Sequence, residues 1–295
     1  MIFVFRIFII IFFCLSAQAG DEQQTKKKVI NNFASGAGSV LENIIGGEGD
    51  TEVQITAGED YKPEFSIMSV RPISIHPGVD AFFIQLQANN TKIRGDARFS
   101  INSGIGYRKL TDNKKAFSGG NIFLDYDEEG NARASIGLEL RSSAFEALAN
   151  YYAAISGAKT VGSYTERALD GGEISILGEL PYLPWANIIA NHYEWKAVNN
   201  KKDSKGDKMS LELTITPNLI VDAGYDNNNI HGSSNFAKIT LVYPPRNKAA
   251  ASEKFFGEKA FSNGDMSNEL LSKVRRTNKI ILESESTGFV MARGN

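Results

Sequence analysis

The chain has 295 residues, enough for one large β domain or two smaller ones. Lys and Arg number 32 against 34 Asp and Glu, a net charge of −2, so no basic bias points to nucleic acid as a partner. Mean hydropathy is −0.23, which fits a soluble protein and equally a transmembrane barrel, where half of every strand is polar.

Residues 1–19, MIFVFRIFIIIFFCLSAQA, place Arg6 before an apolar run from Ile7 to Leu15 and close on Ala17-Gln18-Ala19. Small residues there suit signal peptidase, with Gly20 as the mature start. An uncleaved membrane helix is the alternative, disfavoured by the short run and the small-residue site. Cys14 is the chain's only cysteine and lies inside this leader, outside a lipoprotein pattern, so the mature chain is expected to lack disulfide and thiol chemistry. After residue 20 no apolar stretch reaches the roughly 18 residues of a membrane helix. Residues 20–50 read as a polar, weakly helical periplasmic segment. Its glycines at 36, 38, 46, 47 and 49 are not followed by Gly-Lys-Ser/Thr and suit a linker better than a phosphate loop.

From 51 to 243 twelve strand-like runs follow: 51–58, 63–71, 79–88, 96–108, 117–127, 131–141, 144–156, 172–180, 185–196, 207–216, 218–226 and 235–243. In 131–141, Ala132, Ala134, Ile136, Leu138 and Leu140 alternate with Arg133, Ser135, Gly137, Glu139 and Arg141. A strand's side-chain period of two turns that pattern into one apolar and one polar face. The runs at 97–107, 145–155, 209–215, 219–225 and 237–243 repeat it, whereas 79–88 and 185–196 alternate poorly. The fold class expected is all-β: a twelve-stranded antiparallel transmembrane β-barrel over 51–243, greasy toward lipid and polar toward its lumen. Tyr107, Tyr126, Tyr151, Trp185, Tyr193, Trp195, Tyr225 and Tyr243 read as membrane-interface aromatics. A soluble β protein with core aromatics is the rival, disfavoured by the unbroken succession of two-faced strands.

Connections at 142–143, 181–184 and 217 are tight, while 157–171, 197–206 and 227–234 are long, polar and rich in Gly or Asn. Barrels with short periplasmic turns and longer outer loops would then have both ends of 51–243 in the periplasm.

The stretches INSGIGYRKL (101–110), 119–157, YTERALDGGEISILGELPYLP (164–184) and TITPNLIVDAGY (214–225) resemble the inverse autotransporter β-domain, the barrel of the intimin and invasin family. Asn121, Phe123 and Asp125, then Arg133, Gly137 and Glu139, then Asn150 and Tyr152, then Glu166, Arg167 and Gly171 fall in family order, covering most of 95–243. Gly172 stands where the family usually has an aromatic. The resemblance implies a Gram-negative outer-membrane barrel inserted with the help of the barrel-assembly machinery and periplasmic chaperones. Its partner would be the lipid bilayer. The segment after the barrel would return through the lumen and carry an adhesive passenger outside. Within these 295 residues neither immunoglobulin-like domains after the barrel nor a peptidoglycan-binding module before it is expected. A host or surface receptor is therefore expected only through a passenger absent from this chain or borne on another.

After Tyr243 come 52 residues, 244–295, including MSNELLSKVRRTNKIILESES at 266–286. Leu270, Leu271 and Val274 mark one face of a helix expected from about Met266 to Arg276, capped by Asn268 or Asp265. IILE then reads as a short strand, and the resemblance makes this region the linker inside the barrel. A crossing of about 25 Å takes about 17 helical or about 8 extended residues. Lys273, Arg275 and Arg276 would pair with lumen-facing Asp125, Glu139, Glu173, Glu179 and Glu212, with Arg133 beside them, in wet and individually weak contacts. The alternatives are a tail that stays periplasmic, and with it an open pore or channel.

Chemistry beyond this is sparse. His76, His192 and His231 fit no metal-ligand spacing, and no cofactor site is expected. His231 near Asp226 is the one candidate for a rim hydrolase, and no enzymatic activity is expected. Asp125, Asp127 and Glu129 start like a calcium loop, but Ile136 occupies the twelfth position, so a hairpin turn at 128–131 is the better reading.

Overall fold

The computed structural model describes residues 48–58, 61–94, 96–199 and 202–286. The leader at 1–19 and the lead-in over 20–47 lie outside the described residues. The strands are β1 (Asp50–Gly58), β2 (Tyr61–His76), β3 (Asp80–Ile93), β4 (Asp96–Leu110), β5 (Ala116–Asp127), β6 (Ala132–Ser142), β7 (Phe145–Ala154), β8 (Lys159–Val161), β9 (Tyr164–Ala168), β10 (Gly171–Leu180), β11 (Leu183–Trp195), β12 (Ser204–Thr216), β13 (Leu219–Asn228), β14 (Gly232–Tyr243) and β15 (Leu282–Ser286). All but β8, β9 and β15 close into one antiparallel barrel of twelve strands, each paired with its neighbour in sequence among the barrel strands. β1 seals it against β14 in a register that pairs Thr51 with Tyr243 and Ile55 with Ile239. Closure leaves no unpaired edge, the condition for sheet to survive in hydrocarbon. The end that carries Asp50 and Tyr243 is termed proximal here, and the other distal.

The period of two decides which side chains meet lipid. On β6, Ile136, Leu138 and Leu140 are exposed on the outside, whereas Arg133, Ser135, Glu139 and Arg141 are buried inside. The same parity turns Val53, Ile55, Ile122, Ile174, Ile176, Leu211 and Leu241 outward. Glycines on β4 make room for rings inside: a Cβ on Gly106 would sit 2.4 Å from the Phe83 ring, and one on Gly104 would sit 2.4 Å from the Phe123 ring.

The twelve expected barrel strands are all present, and three local expectations change. The 157–171 connection contains the hairpin β8–β9, and β15 adds to β9 to make a three-stranded sheet, order β15-β9-β8. The 227–234 loop shrinks to a turn at 229–231, because β13 and β14 keep pairing as far as Asn228 and Gly232. Polar residues there sit on strands that continue beyond the apolar band. The helix expected over 266–276 is absent: only Ser267–Glu269 form a 3-10 turn. Its carbonyls are claimed from outside, with Arg108 Nη1 donating to Leu270 O at 2.9 Å and Ser272 O at 2.5 Å, and Arg141 Nη2 to Lys273 O at 2.9 Å. These bonds satisfy groups that a helix would have paired internally.

Leu138 is 65% exposed on the outer face. Leu138→Arg should cost about 2–4 kcal/mol if that face meets the bilayer midplane. Urea unfolding in lipid vesicles measures it, and an unchanged midpoint would place Leu138 outside the hydrocarbon.

Candidate functional site: the barrel interior and the C-terminal segment

After Tyr243 the chain passes along the proximal rim, bonding one turn after another. Arg246 N donates to Pro217 O at 3.0 Å, and Ala251 N donates to Thr214 O at 2.9 Å. Gly257 N donates to Tyr182 O at 2.8 Å, with Tyr182 N returning a bond to Ala260 O at 2.9 Å. Gly264 N then donates to Ser143 Oγ at 3.0 Å, and Met266 N to Lys114 O at 2.9 Å.

From Met266 the chain turns onto the inner wall. Met266, Leu270, Leu271 and Val274 form one buried apolar cluster with Met68, Val70, Ala81, Phe83, Leu110, Phe117 and Phe123 of β2 to β5. The periodicity in Leu270, Leu271 and Val274 therefore reports burial correctly, although a turn and extended chain present them.

Beyond the cluster the contacts are charged. Lys273 Nζ lies 2.8 Å from Glu52 on β1. Arg275 bonds Glu212 on β12 through two nitrogens at 2.7 and 2.8 Å, and Glu146 on β7 at 2.9 Å. Arg276 bonds both oxygens of Asp125 at 2.8 and 2.6 Å, and Arg133 reaches the same carboxylate at 2.8 Å. Thr277 donates its N–H and its hydroxyl to Glu173, whose carboxylate also takes the Tyr152 hydroxyl. Asn278 donates to Gln87 at 2.6 Å and accepts from Asn102 at 2.9 Å. Lys279 reaches Glu64 at 2.8 Å.

The path ends at the distal rim. Leu169 N donates to Ile281 O at 3.0 Å, β15 pairs with β9, and Arg94 donates to Ser284 Oγ at 2.9 Å. Underneath, Glu166 of β9 is buried and bonded by Arg94, Arg98 and Asn131.

Of the candidate contact residues, Lys273, Arg275, Arg276, Asp125, Arg133, Glu173 and Glu212 come together with one another or with tail main chain. Glu139 does not meet the tail: it pairs with Arg108 at 2.7 Å and Arg141 at 2.8 Å, which are nearer on the same wall. Glu179 lies at the proximal rim and accepts Ser262 N at 2.9 Å, well before the cationic stretch. Nor is the interior as wet as expected, since the side chains of Arg276 and Asp125 are both 0% exposed. Glu52, Glu64, Glu146, Arg108, Arg141 and Lys279 complete the network and were not singled out as tail contacts. Strand parity was the available signal: Glu146, for example, shares a face with Asn150 and Tyr152.

Tyr107, Tyr126, Tyr151, Tyr225 and Tyr243 are exposed on the outer face. Trp185 is half-buried and donates to Phe255 O at 2.8 Å. Tyr193 and Trp195 depart from the interface reading. They face inward and are buried with Tyr152 and Leu169, because β11 carries its odd-numbered residues inside at that level. Asp226, the partner considered for His231, is bonded by Tyr193 at 2.8 Å and Lys208 at 3.3 Å, while His231 sits exposed in the turn after β13. At the β5–β6 turn Gly130 has φ +86°, and Asp127 Oδ1 accepts Glu129 N and Asn131 N, so this carboxylate organises a turn.

A buried carboxylate between two guanidiniums is costly to remove, because both cations stay in place unpaired. Asp125→Asn should destabilise the folded barrel by about 3–5 kcal/mol. The temperature at which heat-modifiable gel migration is lost reports this, and wild-type behaviour would show that the triad contributes nothing.

Comparison with known proteins follows the same lines. A family model described as "Inverse autotransporter, beta-domain" matches residues 12–278. Invasin of Yersinia enterocolitica is similar, 24% identical over 212 residues, which is 69% of this chain; the chain spans 24% of that relative's length. A solved structure from work on the in-meso crystallization of membrane proteins superposes with a TM-score of 0.64 at 22% identity, covering 80% of this chain and 99% of that one. At that identity the likeness is one of fold. The KdgM porin in complex with disordered oligogalacturonate superposes with a TM-score of 0.47 at 8% identity, covering 65% of this chain and 98% of its own.

Proposed function

Because the chain belongs to the inverse autotransporter β-domain family, we propose that it threads its own C-terminal segment through the lumen and presents it at the cell surface. It is an outer-membrane barrel translocator, and its family is a translocator domain, not an enzyme class. The leader at 1–19 directs export across the inner membrane of a Gram-negative cell. The barrel inserts with periplasmic chaperones and the barrel-assembly machinery, its proximal end in the periplasm and its outer tyrosines at the lipid interfaces. Residues 266–286 are the linker, and adhesion belongs to whatever follows it, by analogy with invasin.

One observation carries this reading: the order of contacts. Residues 266 to 284 meet inward-facing groups in sequence from the proximal apolar cluster, through Asp125 and Glu173, to β9 at the distal rim. A periplasmic tail would have no reason to satisfy Asp125 or Glu64. The extended chain also suits the length, since about 8 extended residues cross about 25 Å. The alternative, an open pore with a periplasmic tail, leaves Glu52, Asp125, Glu146 and Glu212 without their tail cations.

An epitope placed at Asn295 should be accessible to antibody on intact cells. Access only after permeabilisation would favour the pore. In planar bilayers the full chain should stay closed, and deletion of 250–295 should open it; equal conductance of both would remove the linker from the lumen.

A further inference from the structure

The C-terminal segment does not fill the barrel evenly. On β3 to β6 the inward side chains are buried at both ends: Asn89, Arg98, Asp127 and Arg133 near the distal rim, and Phe83, Arg108 and Phe117 near the proximal one. On the opposite wall burial changes along each strand. Descending β14, Ser234, Phe236 and Lys238 are partly exposed, and then Thr240 and Val242 are buried. Along β1, Thr56 and Gln54 are half-exposed and Glu52 is fully buried. Along β12 and β13, the side chains of Lys208 and Asp226 are 41% and 24% exposed, whereas Thr214, Asp222 and Ile220 proximally, and Gly206 and Asn228 beside Tyr193 at the distal end, are buried, so the opening runs past β14 and β1.

These inward residues have lipid-facing neighbours on either side, so solvent reaches them only along the lumen. The proximal half gives no route. There Thr240, Val242 and Ile220 are buried, Ala250 of the rim strap is fully buried, and Lys273 and Arg246 occupy Glu52. The route is therefore distal.

We infer that the barrel holds a blind aqueous vestibule, lined by β12, β13, β14 and β1, that opens at the distal end and stops at the level of Thr240. Resting on the translocator reading, it deepens that reading by placing the permeability barrier in the proximal half only. Small hydrophilic solutes enter from the cell exterior and do not cross. The lining ion pairs, Lys208 with Asp226 at 3.3 Å and Lys238 with Asp222 at 2.8 Å, present both signs, so entry does not select for charge. Asymmetry also explains how one chain can be held tightly without a close fit all round. The linker leans mainly on β2 to β7 and β10, reaching Glu52 of β1 and Glu212 of β12 only in the proximal half, and the distal half of the wall from β12 to β1 stays wet.

Single cysteines test this, in a background where Cys14, the only cysteine of the chain, is replaced by Ser. Thr56→Cys and Ser234→Cys put small side chains in the vestibule, and Thr240→Cys puts one in the seal. Correct folding is checked by heat-modifiable migration. On intact cells a membrane-impermeant maleimide should label Thr56→Cys and Ser234→Cys, and should label Thr240→Cys only after unfolding. If neither vestibule cysteine reacts on folded barrels, the vestibule is refuted while the threaded linker stands. If Thr240→Cys reacts as readily as Thr56→Cys, the barrier does not lie at that level and the blind vestibule is refuted, while the threaded linker is decided separately by the access of an epitope at Asn295.

Discussion

The constraint behind the whole structure is that a polar group facing the lumen has lipid behind the wall and must find its partner inside. This barrel turns Arg108, Arg133 and Arg141 inward together with Glu52, Asp125, Glu146, Glu173 and Glu212. The wall alone cannot satisfy them all. The C-terminal segment supplies what is missing in both directions: its backbone carbonyls take the wall's guanidiniums, and its Lys273, Arg275, Arg276 and Lys279 take the wall's carboxylates. Main-chain acceptance also explains the extended conformation. A helix over 266–276 would have consumed the carbonyls of Leu270 and Ser272, leaving the buried Arg108 without its main-chain acceptors.

The apolar cluster and the charged stretch play different parts. Met266, Leu270, Leu271 and Val274 bury side chains against Phe83, Phe117 and Phe123, a non-directional contribution that anchors the entry of the segment at the proximal end. The ion pairs beyond it are directional and fix which residue stands at which level. Net stabilisation from buried pairs is small once desolvation is counted, whereas a mispaired register leaves charges uncompensated. Register, more than strength, is what the charges contribute. At the distal end β15 adds to β9 through main-chain bonds, which hold the emerging chain largely independently of its side chains.

Much of this was legible in the sequence because the governing signal is local. On β6 the alternation from Ala132 to Arg141 names the lipid face and the lumen face directly. β3 and β11 alternate poorly for a physical reason: their inner faces carry Ala81 and Phe83, or Tyr193 and Trp195, which pack on the tail cluster or beside Leu169. Apolar residues then appear on both faces, and the partners responsible lie far away in sequence. The tail misleads in the same way. Leu270, Leu271 and Val274 are spaced like a helix face, yet Arg108 and Arg141 from other strands decide the backbone. Likewise Glu139 looks equivalent to Asp125 by parity, but only the three-dimensional position of Arg108 assigns it to the wall. The β8–β9 hairpin was hidden in polar loop composition because its pairing partner, β15, is more than a hundred residues on.

The central claim is that residues 266–286 lie within the closed barrel, and a site-specific disulfide tests it most directly. Thr165 of β9 and Glu285 of β15 stand directly opposite each other in the antiparallel pair at the distal rim, where Cα atoms lie about 4.5–5.5 Å apart, a separation a disulfide spans. With Cys14 replaced by Ser, the double variant Thr165→Cys/Glu285→Cys should form an intramolecular disulfide in a barrel whose tail has crossed to the distal end, seen as a reductant-sensitive change in gel migration and loss of free thiol. Two freely reactive thiols in a correctly folded barrel would contradict it.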